Sequence, residues 1–139
     1  MKITLGKSHR KDTINFGLNY KSAFEEIDDG ECTEIHAPEI LDYIPEHEFR
    51  LFIDTLVNKM RHGCELTIGG SDLYESMKQL FRGDLNVYTM NNVLYGNKEV
   101  SKRGQYSMNS VSDILLQRGL KILEKNMDRN QMYIKAVRE

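Results

Sequence analysis

The sequence predicts an α/β fold whose sheet is mostly parallel and closes with an antiparallel hairpin. Three observations carry that reading: an amphipathic helical stretch after Pro45 that runs through a turn into a short apolar strand, brief strand-like segments ahead of it, and a capped helix followed by two extended pieces at the far end.

The elements follow in order. Lys2 to Leu5 alternates as a first strand ended by Gly6, the polar run Lys7-Ser8-His9-Arg10-Lys11-Asp12 is a loop, and Thr13 to Leu18 is a second strand with Gly17 inside it. Ala23, Phe24 and Ile27 make a short helical piece stopped by Asp28-Asp29-Gly30, after which Cys32 to His36 returns as a third strand. Ile40, Leu41 and Ile44 form a single helical turn before Pro45. Phe49, Phe52, Ile53, Leu56, Val57 and Met60 then share one broad helical face. Pro45 suits the helix start, Glu46 and Glu48 its positive end, and Lys59, Arg61 and His62 its negative end. Gly63 is expected to end the helix in the left-handed conformation, and Cys64 to Ile68 to form an interior parallel strand before Gly69-Gly70.

Ser71 or Asp72 caps the next helix, with Leu73, Met77, Leu80 and Phe81 expected to point inward and Gly83 closing it. Asp84 to Tyr95 reads as a further helix, and the charged, glycine-bounded segment Gly96 to Tyr106 as a mobile loop. Ser107 or Asn109 caps a helix that turns Val111, Ile114 and Leu115 inward and ends at Gly119. Leu120 to Lys125 and Gln131 to Val137 are strands around a loop at Asn126 to Asn130, which gives the sheet one reversed edge strand.

Bulk properties narrow the function. With 139 residues, 40% of them hydrophobic and 29% charged, the chain is expected to be one globular domain over residues 1–139. A formal charge of −2 gives no overall attraction to nucleic acid. No run of eighteen apolar residues marks a membrane span and the first residues lack a signal-peptide core, so a cytoplasmic protein with no membrane partner is expected. Cys32 and Cys64 are expected to be free thiols, and His9, His36, His47 and His62 fall in no metal-binding pattern, so no metal is assigned. Ten carboxylates lie between Ser22 and Phe49 with no Lys or Arg among them; Glu39, Asp42 and Glu46 in that run read as a solvated cluster near a helix start. Leu5-Gly6-Lys7-Ser8 ends like a phosphate loop but lacks its upstream glycine. His36 stands at the carboxyl end of a central strand, where open α/β sheets bind ligands.

The run Glu39-Ile40-Leu41-Asp42-Tyr43-Ile44-Pro45, then Leu56 to Ile68, then Gly69-Gly70-Ser71-Asp72-Leu73, resembles the central part of class I S-adenosylmethionine-dependent methyltransferases. It is similar to the small group that reads His-Val-Leu-Glu-His-Ile, a helix, Leu-Lys-Pro-Gly-Gly-Arg-Leu-Arg-Ile and Val-Pro-Asp-Leu. Val93-Leu94-Tyr95-Gly96 and the helix from Ser107 to Gly119 extend the likeness. Placed on that pattern, Asp42 falls on the family's acid, Tyr43 on the following His, Glu39 on the preceding His, Gly63 on the first glycine of Pro-Gly-Gly and Asp72 on the Asp of Pro-Asp-Leu. The chain departs where the cofactor loop is normally Gly-x-Gly-x-Gly, offering Gly6, Lys7 and Ser8, and where an acid normally ends the second strand, offering Gly17 or Asn19.

The resemblance implies a reduced Rossmann-like three-layer sandwich with its first half cut short. It also implies S-adenosylmethionine as cofactor, in a crevice formed by Gly6, Lys7, Ser8, Asn19, His36, Pro38 and Glu39, with methyl transfer to an unidentified small-molecule acceptor held by the Gly96 to Tyr106 loop. No catalytic residue is assigned. The competing expectation is a non-catalytic scaffold or interaction protein that kept the fold and lost the pocket, its uncovered surfaces closed by homo-oligomer formation.

Overall fold

The computed structural model describes residues 1–98 and 100–139. The elements are β1 (Lys2–Thr4), β2 (Ile14–Asn15), α1 (Tyr20–Glu26), β3 (Cys32–Ala37), a 3₁₀ turn (Ile40–Tyr43), α2 (Glu46–Lys59), β4 (Met60–Ser71), α3 (Leu73–Arg82), α4 (Val87–Tyr95), α5 (Met108–Gln117), β5 (Lys121–Asp128) and β6 (Gln131–Val137). Among the described residues the strands form a single sheet in the order β2-β1-β3-β4-β6-β5. The first four pair in parallel, and β6 runs antiparallel to both β4 and β5. This is a reduced Rossmann-like sandwich with a C-terminal antiparallel hairpin.

Alternation decides which face is buried. Ile3, Ile35, Leu66, Ile68, Met132 and Ile134 project from successive strands into one core, against Phe52, Ile53 and Leu56 of α2 and Val111 and Leu115 of α5. Each such side chain removed from water contributes roughly 1.5–3 kcal/mol before entropy is counted. Tyr20 of α1 meets Phe52 edge-on, ring centroids 5.0 Å apart, which ties α1 to α2. On the other face Glu34, His36 and Thr67 point away from that core, and the third layer is reduced to the loop of residues 7–13. Arg10 in that loop donates to Glu34 at 2.8 Å, and the Thr13 hydroxyl lies 2.7 Å from that of Thr4.

Several expectations are corrected. Gly63 does not end α2: the helix stops at Lys59, Met60 is already extended, and Gly63 (φ 87°) sits in a bulge of β4 where the register moves from Cys32↔Met60 to Glu34↔Glu65. The helix end is closed instead by Arg138, whose Nη1 donates to the carbonyls of Val57 and Met60 at 2.7 and 2.6 Å. The reversed strand is not an edge strand, because β6 lies between β4 and β5. Its hairpin loop is two residues, Arg129 (φ 58°) and Asn130, since pairing continues to Asp128↔Gln131. The second strand shrinks to Ile14–Asn15 and α4 begins only at Val87, capped by Asn86. Met77 and Phe81, expected to point inward, are 56% and 92% exposed. The membrane expectation has a narrow counterpart: no helix among the described residues is long and apolar enough to cross a bilayer.

Candidate functional site

The exit of β1 is shaped by Glu39. Gly6 adopts φ 113°, a conformation that side-chain-bearing residues avoid, and a Cβ there would stand 3.3 Å from Glu39 Cγ. Its N–H donates to the Gly17 carbonyl at 2.7 Å, joining the ends of β1 and β2. The Lys7 N–H donates to Glu39 Oε1 at 3.0 Å, and the Ser8 hydroxyl to the same oxygen at 3.4 Å. A carboxylate from within the chain therefore already occupies two donors of this loop. Lys7 Nζ lies 5.5 Å from the centre of the Tyr43 ring.

Beside this loop a cleft of about 570 Å³ opens at the carboxyl ends of β2 and β3. Leu18 to Lys21 form one wall, Tyr43 and Glu48 the base, and Val100, Ser101 and Arg103 the other side. Asn19 Oδ1 accepts from the Ser22 N–H at 3.2 Å as the cap of α1, which leaves the side-chain amide N–H groups for the cleft. The Tyr20 hydroxyl donates to Glu48 Oε2 at 2.6 Å and Lys21 Nζ to Oε1 at 3.0 Å. Burial, then the Glu48 hydrogen bond, pushes the Tyr20 phenol up to about 12. The Tyr20 hydroxyl, followed by Lys21, draws the Glu48 carboxyl below its usual range.

The far wall is a strap tied to Asp42. This carboxylate is 4% exposed and accepts from the Ser71 N–H at 2.8 Å, while Lys102 Nζ stands 3.3 Å from its other oxygen and donates to Ser71 Oγ at 3.2 Å. The backbone N–H groups of Arg103 and Gly104 donate to the Asp42 carbonyl at 2.7 and 3.3 Å, and the Tyr106 hydroxyl to the Ile44 carbonyl at 2.5 Å. The segment expected to be mobile is thus anchored along 102–106; Glu99 within it lies outside the described residues. The expected solvated acidic cluster separates as well: Asp42 is buried with a cation, Glu39 serves the β1 loop, and Glu46 remains exposed.

No protein-family model matches the sequence, and no curated protein matches it. Solved structures do. A SAM-dependent methyltransferase from Archaeoglobus fulgidus superposes with a TM-score of 0.61 at 9% identity, over 97% of this chain and 75% of that one. The structure of an O-methyltransferase family protein from Burkholderia thailandensis gives 0.58 at 14% identity, over 91% and 36%. The DhpI-SAM-HEP complex gives 0.56 at 11% identity, over 90% and 57%.

The fold is that of the class I S-adenosylmethionine-dependent methyltransferases.

Within this methyltransferase fold the seven residues assigned to the cofactor crevice separate into four places. Gly6, Lys7, Ser8 and Glu39 come together, but bonded to one another. Asn19 alone of the seven lines the cleft. His36 faces the side crossed by residues 7–13; burial, then the charge of Arg10, holds its imidazole below the usual value. Pro38 marks a backbone crossing: its carbonyl accepts from Gln131 Nε2 at 3.4 Å and blocks any Cβ on Gly69. Tyr43, Glu48 and Arg103 were missed as lining residues. Tyr43 had a signal in its place directly after the acid of the resemblance, and Arg103 in lying within the Gly96 to Tyr106 loop expected beside the acceptor, though only the strap's attachment to Asp42 fixes it there.

Proposed function

We propose that this protein is an S-adenosylmethionine-dependent methyltransferase acting on a small-molecule acceptor. The supporting observation is the cleft at the carboxyl ends of β2 and β3, the place where an open α/β sheet takes its ligand. Its donor set suits the cofactor. The Asn19 amide can donate to ribose hydroxyls, the Tyr43 ring offers a stacking surface for adenine, and the Glu48 carboxylate complements a cationic methionyl end. When bound, the cofactor supplies a methyl group on a positively charged sulfur that is electrophilic without further activation. The chain's own contribution is then to position the acceptor and keep water out, with Arg103 and the strap as the adjoining wall.

A second reading, a methyltransferase-fold scaffold without catalysis, is favoured by one specific observation. Glu39 Oε1 already takes the Lys7 N–H and the Ser8 hydroxyl, so a ligand carboxylate would have to displace it from those two donors.

Calorimetric titration with S-adenosylhomocysteine separates the two. The enzyme reading expects a dissociation constant on the order of micromolar. Asn19→Asp, which keeps the helix cap and adds the acid typical of the family, is expected to tighten binding, and Tyr43→Ala to weaken it about tenfold. No heat at about millimolar ligand overturns methyl transfer and leaves the scaffold.

A further inference from the structure

The charges around the cleft do not balance. On one wall Lys21 Nζ donates to Glu48 Oε1 at 3.0 Å, so those two charges offset each other. On the other side the strap carries two successive basic residues with different fates. Lys102 turns inward, its Nζ 3.3 Å from Asp42 Oδ2. Arg103 lines the cleft, and no ion pair or side-chain hydrogen bond among the described residues includes its guanidinium. A full positive charge with five N–H donors is therefore left for the cleft. An exposed arginine is usually satisfied by water alone, but this one stands on a fixed mount. Its own N–H and that of Gly104 donate to the Asp42 carbonyl at 2.7 and 3.3 Å, and Gly104 lies so close to the Ile44 carbonyl that a Cβ has no room. Its charge is felt across the cleft: burial and the Glu48 hydrogen bond raise the Tyr20 phenol, while Arg103 lowers it.

We infer that Arg103 is the specificity-determining residue for the acceptor, and that the acceptor is a small carboxylic acid with an apolar body. The inference rests on the methyltransferase reading proposed above. A planar guanidinium with no internal partner matches a carboxylate through two parallel N–H···O bonds, a match that a neutral hydroxyl or an amine does not offer. Leu18, Val100 and the Tyr43 ring give the same cleft its apolar surface, so charge is recognised at one point and shape along the rest. Charge balance points the same way. With a positive sulfur bound in this cleft and Glu48 already offset by Lys21, a neutral or cationic acceptor would leave Arg103 and the sulfonium without a counter-ion; an anionic acceptor supplies one. A handle gripped at a fixed point also serves the reaction, because positioning is the part of methyl transfer that the chain itself contributes.

Titration of the isotope-labelled full chain with matched acids and amides tests it: acetate against acetamide, benzoate against benzamide, and phenylacetate against phenylacetamide. Each pair is run with and without S-adenosylhomocysteine and read by NMR at the backbone and side-chain N–H signals of Arg103. At least one acid is expected to bind about tenfold tighter than its amide. Arg103→Gln should abolish that preference, and Arg103→Lys should keep part of it, since the charge remains without the fork. Arg50→Gln, an exposed position on α2, should leave it unchanged. Arg103→Gln should also alter the affinity for S-adenosylhomocysteine by less than about twofold; a loss of about tenfold assigns the guanidinium to the cofactor's own carboxylate and overturns the inference. No preference for the acid in any pair, beside measurable binding of S-adenosylhomocysteine, overturns this inference alone. A preference that depends on Arg103 in a chain that binds no S-adenosylhomocysteine overturns the methyltransferase reading instead, and with it the assignment of the acid as an acceptor.

Discussion

Helices α2 and α3 are both amphipathic, yet they are mounted in opposite senses. The stripe of α2 (Phe49, Phe52, Ile53, Leu56, Val57) lies against the sheet, whereas that of α3 (Tyr74, Met77, Phe81) faces solvent and a serine faces the protein. Periodicity shows which residues share a face, but not which side the rest of the chain occupies. For α2 the neighbouring strand supplies an apolar surface. For α3 the neighbour is Asn130 in a hairpin turn, whose amide donates to the Ser76 hydroxyl, which in turn donates to the Asp72 carbonyl.

The sharpest way to break this contrast is a matched pair of substitutions. Leu56→Ala should lower unfolding free energy by about 3 kcal/mol through a cavity, and Phe81→Ser should change it by less than about 0.5 kcal/mol, both read by urea denaturation of dilute, monomeric protein. If Phe81→Ser costs as much as Leu56→Ala, α3 packs inward after all.

A smaller effect is expected where polar rather than apolar contacts hold the wall of the cleft. Lys102→Met leaves the buried Asp42 carboxylate without its cation and should destabilise by about 2 kcal/mol, with faster amide exchange at Arg103 and Gly104. The double variant Asp42→Asn with Lys102→Met should recover part of that loss.

The finest distinction concerns titration at the two sheet surfaces. The folded Tyr20 phenol, at about 12, keeps its proton after the unfolded chain has lost it near the ordinary value of 10.0, so stability should fall as pH rises between those values, and less in Tyr20→Phe. His36 behaves in the opposite direction. Its folded value lies below the ordinary 6.5, so its contribution is complete above 6.5 and is lost as pH falls through the folded value. An NMR titration should place His36 below the ordinary 6.5, and Arg10→Gln should move it upward.

These contrasts explain what could be read from the residues. The helix-to-strand unit through α2 and β4 was legible because its apolar spacing, end charges and following strand all agree. The hairpin was legible as extended chain but not in its loop, since Arg129 in a left-handed conformation breaks the usual glycine rule. Gly63 was misread because a glycine four residues beyond a helix serves a bulge rather than a cap. The candidate site was least legible. Glu39, with its family position occupied by histidine elsewhere, gave no hint that it bonds back across 32 residues to Lys7, and the strap's position depends on a cation finding Asp42.

The clasp of Arg138 on the carbonyls of Val57 and Met60 reaches from the end of the last strand to the middle of the chain, and β4 has β6 as its antiparallel neighbour. During synthesis the helix and strand at the centre of the molecule emerge long before the residues that complete them. The finished sheet therefore has to wait for position 138 to leave the ribosome, and in that interval β4 is a bare apolar edge. The emergence of β6, rather than growth of the middle segments, sets the moment at which this fold closes.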